Sequence, residues 1–261
     1  MFKGTLDVGA VIHLPLVTIQ LKSSYISGGS TVKCYCYETN SDFIFCVEDV
    51  ENAQLENFVK YKGWEEKDGQ LIMPYPQHMF SNPHDKDFIK NNFSRLGQAV
   101  FESGLLGFDW EKPLETLAQK FEESRIEWYL IGSASDAVRG VDVKPGDIDI
   151  VVHTKDYDKV KNIFYSNFSD SIISPFSDNK GLFPLQYIAR LFLDGALFEI
   201  AADEKWNLGN RQPIYEKITW HGYNFYVEAL ELRYKIETWR KREDRIKAIE
   251  AYMNRDECNT K

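Results

Sequence analysis

The sequence predicts an α/β (α+β) fold in two parts: an α/β or β-rich domain over residues 1–107 and a second domain over residues 108–261. Three observations lead there. The stretch Trp128–Val152, WYLIGSASDAVRGVDVKPGDIDIVV, reads as one strand, helix, strand unit. Asp194-Gly195 and His221-Gly222 each separate two strand-like runs, as two-residue hairpin turns do. Upstream, short strand-like runs alternate with helical spacing until Gly104-Leu105-Leu106-Gly107, which reads as a linker.

In chain order, strands are expected at about Ala10–Leu21, Thr31–Tyr37 and Phe43–Val47, then a helix at Ala53–Tyr61. A turn at Lys67-Asp68-Gly69 leads into a strand at Gln70–Met73. The next helix spans about Asp85 to Ser103; His84, Asp85 and Asp87 resemble a metal cluster but read better as its opening, where acids favour the helix dipole. Pro113–Glu123 is another helix. Beyond it come strand Trp128–Ile131 and a short helix, capped by Ser133 or Ser135, that runs to about Arg139 and is complemented there by that arginine. Pro184–Leu193 and Ala196–Ala201 form one hairpin, Lys217–Trp220 and Tyr223–Val227 another. From Glu228 to Met253 the spacing is helical, with a break near Arg242.

Chemistry concentrates in the 128–152 unit. Side chains alternate across a strand, so Asp147 and Asp149 face the same way, their Cα atoms about 7 Å apart. Two such carboxylates repel unless a cation lies between them, and magnesium, which takes one or two protein carboxylates and completes its shell with phosphate and water, suits the pair. The Gly132-Ser133 turn opens a helix whose free N–H groups and hydroxyl can hold a phosphate. Glu199 is a third acid, alone inside the apolar run Leu197–Ala201. A buried carboxylate needs a cation or hydrogen-bond donors. Asp194 and Asp203 compete less well, being in a turn and at a strand end. His153 reads as an ordinary polar strand end and His221 as part of a turn.

Gly132-Ser133, Gly140 and Asp147-Ile148-Asp149 together resemble the signature of the polymerase-beta-like nucleotidyltransferases, notably the small bacterial and archaeal members and the antibiotic nucleotidyltransferases. The resemblance covers about Leu114 to Met253. It implies a small mixed sheet flanked by helices, transfer of a nucleoside monophosphate, AMP in the first instance, from an NTP to a hydroxyl, and a third acid on a neighbouring strand, supplied by Glu199. Magnesium or manganese would be held by Asp147, Asp149 and Glu199, with one ion activating the acceptor hydroxyl and a second stabilising pyrophosphate; Glu199 could also take the hydroxyl proton. Lys235, with Trp239 and Arg242 on one helical face, matches a cation of the family's C-terminal helices that reaches the triphosphate. The same residues also read as a solvated basic face paired with Glu231, Glu237 and Glu243.

Composition narrows the partners. The formal net charge of −9 argues against a broad nucleic-acid surface, so a small-molecule or protein acceptor is favoured over an RNA end. A catalytically silent nucleotide-binding or interaction protein on the same fold is the alternative, and a nucleotide-adding enzyme acting on RNA a more distant one. Cys34, Cys36, Cys46 and Cys258 lack the spacing of zinc ligands and read as reduced thiols. With no apolar run of membrane-spanning length and no signal-peptide pattern, the expected location is the cytoplasm.

Overall fold

The computed structural model describes residues 32–80, 83–173, 185–203 and 214–259. The strand expected at Ala10–Leu21 lies outside them, as do Thr31 and Pro184. Among the described residues no helix is long and apolar enough to cross a membrane.

The first sheet is antiparallel, built from β1 (Lys33–Glu38), β2 (Asp42–Glu48), β3 (Glu65–Lys67) and β4 (Gln70–Pro76) in the order β1-β2-β4-β3. Helix α1 (Ala53–Tyr61) interrupts it and begins where Asn52 accepts the N–H groups of Gln54 and Leu55. Asp68 and Gly69 both take positive φ, +52° and +78°, the backbone a two-residue hairpin requires.

Helix α2 (Pro83–Leu106) then crosses to the second sheet. Its opening acid Asp85 is buried and pairs with Lys161 at 2.8 Å, so that residue is structural. The expected linker at Gly104–Gly107 is instead the end of this helix. Gly104 lies inside the helix, where a Cβ would come within 2.7 Å of the Phe58 ring, and the chain leaves the helix only at Gly107, with φ +78°.

After α3 (Glu111–Glu123) the chain builds a seven-stranded mixed sheet: β5 (Trp128–Ile131), β6 (Ile148–His153), β7 (Phe168–Ile173), β8 (Leu185–Leu193), β9 (Ala196–Asp203), β10 (Tyr215–Trp220) and β11 (Tyr223–Glu228). Their order is β10-β11-β5-β6-β9-β8-β7, with β11/β5 and β6/β9 parallel and the other neighbours antiparallel. Short helix α4 (Gly132–Ala137) follows β5, and α5 (Thr154–Ile163) follows β6, capped by His153 Nδ1, which accepts the Lys155 N–H. Helices α6 (Leu230–Trp239) and α7 (Glu243–Asn259) close the chain, broken where Lys241 takes φ +57°.

One continuous apolar core runs from Phe43 and Phe45 of the first sheet, through Phe88, Ile89 and Phe93 of α2, to Ile148, Ile150 and Phe198 of the second. A smaller cluster matters more for the site. Leu96 and Val100 of α2 pack on Leu197, with Phe192 alongside. Leu197 and Phe192 are register partners, as are Glu199 and Arg190, two residues further along the same strands. Side chains two apart share a sheet face, so α2 rests on the face that carries Glu199.

Candidate active site

Strand register brings the acids together. β6 and β9 run parallel, with Asp149 opposite Glu199, so the two carboxylates stand on adjacent strands about 4.8 Å apart. Asp147 is not in the strand but in the bend that leads into it; it is nevertheless buried. Burial, first, and then the neighbouring charges of Asp147 and Glu199 push the Asp149 carboxyl well above the ordinary range. Glu199 is raised to about 7, again mainly by burial and then by Asp147, while the Arg190 and Lys62 cations pull it back. Among the described residues Glu199 makes no hydrogen bond or ion pair.

The Gly-Ser turn is shaped by these acids. Gly132 has φ +66°, and a Cβ there would lie 2.6 Å from Asp149 Oδ2. Its N–H donates to Glu228 Oε2 at 2.9 Å, so this N–H, expected to face phosphate, is engaged by a protein carboxylate. The N-cap of α4 is Ile131, not Ser133 or Ser135; Ser135 instead donates its hydroxyl to the Gly132 carbonyl at 2.7 Å. Ser133 is half-buried in the first turn. A Gly132→Ala variant should combine left-handed strain with displacement of the Asp149 carboxylate, costing about 1–3 kcal/mol. Urea denaturation measures that cost, and wild-type stability in the variant would contradict the close approach.

Behind the turn lies a buried ionic network invisible in the sequence. Arg233 of α6, 2% exposed, donates to both oxygens of Asp136 on α4 at 3.1–3.2 Å and to Glu237, and lies 3.5 Å from Glu228. Arg139 adds hydrogen bonds to the carbonyls of Ser135 and Glu228 and an ion pair with Glu216 at 2.9 Å; it ties α4 to the β10–β11 hairpin rather than merely complementing a helix end. Thus the short helix after Gly132 is clamped from two sides.

This network also corrects the reading of the C-terminal helices. Glu228 ends β11 instead of opening a helix. Lys235 and Trp239 are exposed, on the opposite side of α6 from buried Arg233 and Glu237. Arg242 does not share their face: it lies in the break and turns back to Glu237 at 3.4 Å. Glu237 is fully buried, so it belongs to no solvated charge stripe.

A second missed residue is Arg190. The pairs Asp149–Glu199, Glu199–Arg190 and Arg190–Asp170 place four charged side chains in one line across the sheet face. Arg190 is fixed at one end of that line: its Nε lies 2.8 Å from Asp170 Oδ2 and its backbone N–H donates to Asp170 Oδ1 at 2.6 Å. A lone arginine inside LQYIARLFL was a signal of the same kind as the lone glutamate inside LFEIA.

No protein-family model matches this chain, and no curated protein matches its sequence. Among solved structures, similarity extends to a Thermotoga maritima protein described as a nucleotidyltransferase (19% identity, 54% of this chain and 91% of that chain, TM-score 0.36). It extends also to the lincosamide antibiotic adenylyltransferase LnuA with lincomycin bound (13% identity, 54% and 96%, TM-score 0.41) and to the antibiotic-resistance factor ANT(2'')-Ia (11% identity, 54% and 83%, TM-score 0.39).

Proposed function

We propose that the protein is a metal-dependent nucleotidyltransferase that moves a nucleoside monophosphate, AMP in the first instance, from an NTP to a hydroxyl of a small molecule or protein. The observation that supports this most is the in-register placement of Glu199 beside Asp149, with Asp147 one bend away. Asp149 and Glu199, both raised by burial and by the neighbouring charge of Asp147, are unfavourable as carboxylates without a cation.

The donor chemistry fits magnesium or manganese: hard carboxylate oxygens, no sulfur, and no protein cation in contact with Glu199 among the described residues. As the side chains stand, no three His, Cys, Asp or Glu residues among those described form a group that could hold an ion. Asp147 and Asp149 would hold the metal with the triphosphate, and Glu199 would join on the acceptor side. When bound, such ions lower the pKa of an acceptor hydroxyl and offset charge on pyrophosphate.

The chain's own residues do the rest. Gly132, kept side-chain-free by Asp149, lets the turn approach the nucleotide closely; Ser133 stands at that turn. The Arg233 network holds the turn still, which matters because misplacement by about 1 Å can cost 100-fold in rate. An acceptor oxygen then attacks the α-phosphorus, the bond to the β-phosphate bridging oxygen breaks, and the hydroxyl proton passes to Glu199. Without a cation its carboxyl is pushed up to about 7, mainly by burial, and a bound ion would lower it again.

Incubating the protein with α-labelled NTPs, magnesium and cell extract should transfer label to an acceptor, and Asp147→Asn with Asp149→Asn should abolish transfer and metal-dependent nucleotide binding. Unchanged nucleotide binding in the double variant would remove the basis for the assignment. Magnesium-dependent nucleotide binding without transfer would shift the reading to a silent binding protein.

A further inference from the structure

We propose that Tyr75, in the N-terminal sheet, is a positioning residue for Glu199: together with Asp170 it holds the Arg190 guanidinium beside the Glu199 carboxylate without letting the two pair. The N-terminal sheet thereby forms part of the site. This rests on reading Glu199 as the third acid.

The geometry supplies each part. Arg190 Nη2 donates to the Tyr75 hydroxyl at 3.1 Å, and Asp170 takes Nε from the other side at 2.8 Å. The Tyr75 ring is itself seated in the N-terminal core, edge-on to Phe45 with centroids 5.6 Å apart. Arg190 faces Glu199 in register, yet among the described residues no hydrogen bond or ion pair joins them. An arginine and a carboxylate on adjacent strands ordinarily close into a two-pronged pair. Here two anchors keep the guanidinium occupied, so Glu199 feels a nearby positive charge while its oxygens stay unclaimed.

The anchor and the guanidinium it holds have opposite effects on a metal. Removing the Tyr75 hydroxyl frees Nη2 to turn to Glu199, the carboxylate opposite it in register; the arginine would then compete with an incoming metal. Removing the Arg190 charge does the reverse, since a cation repels another cation entering the same cluster. General damage to the fold would weaken binding in both cases.

The test uses the full-length protein and manganese ion alone, with free Mn2+ read by electron paramagnetic resonance. Tyr75→Phe should weaken Mn2+ binding about five- to tenfold and Arg190→Gln should tighten it by a similar factor. The Tyr75→Phe loss should vanish in a Glu199→Gln background, because it acts through Glu199. Unaltered affinity in Tyr75→Phe, or a loss that persists with Glu199→Gln, overturns the positioning role. If instead Mn2+ binding in wild type is absent or indifferent to Asp147→Asn with Asp149→Asn, the metal site itself is overturned, and the inference with it. Thermal melts of each variant identify misfolding independently, and a Tyr75→Phe protein that melts as wild type yet binds as wild type counts against the proposal.

Discussion

Replacing Arg233 with methionine is expected to destabilise the protein by about 3–5 kcal/mol at neutral pH, the usual cost of removing one partner from a buried ionic group. The size follows from what is left behind. Asp136, Glu237 and Glu228 are 0%, 0% and 5% exposed, and Arg233 contacts all three. Methionine fills much of the volume but offers no charge, so the acids must stay ionised without a partner or bind protons. Burial already raises Asp136 and Glu228, while Arg233 pulls both down; losing it moves them further up. For an acid whose folded pKa is raised, the folded state binds more protons than the unfolded one, so stability is lost as pH rises through that window. The penalty should therefore shrink at pH 5 relative to pH 7.5 in urea melts, and a penalty equal at both pH values would mean that losing Arg233 does not act through ionised acids. Nucleotide affinity should fall too, because Asp136 sits in the helix that opens at Gly132.

How much of this could be read from the chain divides along a physical line. Features fixed by neighbours in sequence were legible: the turns at Asp68-Gly69, Asp194-Gly195 and His221-Gly222 all take positive φ at both residues, and α1 has the expected bounds. Glu199 was legible because a lone acid in an apolar strand needs a reason, whatever lies beside it. What sequence could not show was which strand lies beside which. The order β6-β9-β8-β7 sets Asp149, Glu199, Arg190 and Asp170 side by side; the two-residue turn at Asp194-Gly195 already fixes Arg190 opposite Glu199, whereas nothing local encodes the pairing of Glu199 with Asp149 or of Arg190 with Asp170. Glu228 was hidden for another reason. Helical spacing after it is strong, and its carboxylate serves a glycine 96 residues earlier. The linker at Gly104–Gly107 failed because glycine was taken as a breaker, whereas Gly104 lies inside the helix, against the Phe58 ring.

The division into two parts has a similar limit. The pattern of elements suggests an N-terminal module joined by a linker at Gly104–Gly107. In the structure one continuous helix, α2, packs on the first sheet and on the acid-bearing face of the second, and Arg190 donates a hydrogen bond to Tyr75. We therefore expect residues 32–106 to be required for the site to form, whatever further role they have in acceptor choice.

Glu199→Gln should separate stability from function in opposite directions. Turnover should fall by roughly 100- to 10,000-fold, the range for loss of a positioned general base, while nucleotide binding through Asp147 and Asp149 is retained. The metal-free protein, however, should become more stable at neutral pH. Glu199 has its folded pKa raised from 4.5 to about 7, so its contribution is neutral below pH 4.5 and increasingly unfavourable as pH climbs to 7. At about 1.4 kcal/mol per unit, the full shift corresponds to an energy on the order of 3 kcal/mol. Glutamine keeps the shape and removes the charge, so its stability should lose that pH dependence and exceed wild type above pH 7 in the presence of a chelator. Added magnesium should close the gap by stabilising wild type preferentially. The four measurements discriminate sharply: an enzyme that keeps its activity with glutamine places the third acid elsewhere, and one that loses activity and stability together makes Glu199 a packing residue. A gain in stability with a loss of turnover is the outcome that a carboxylate held in place for a cation demands.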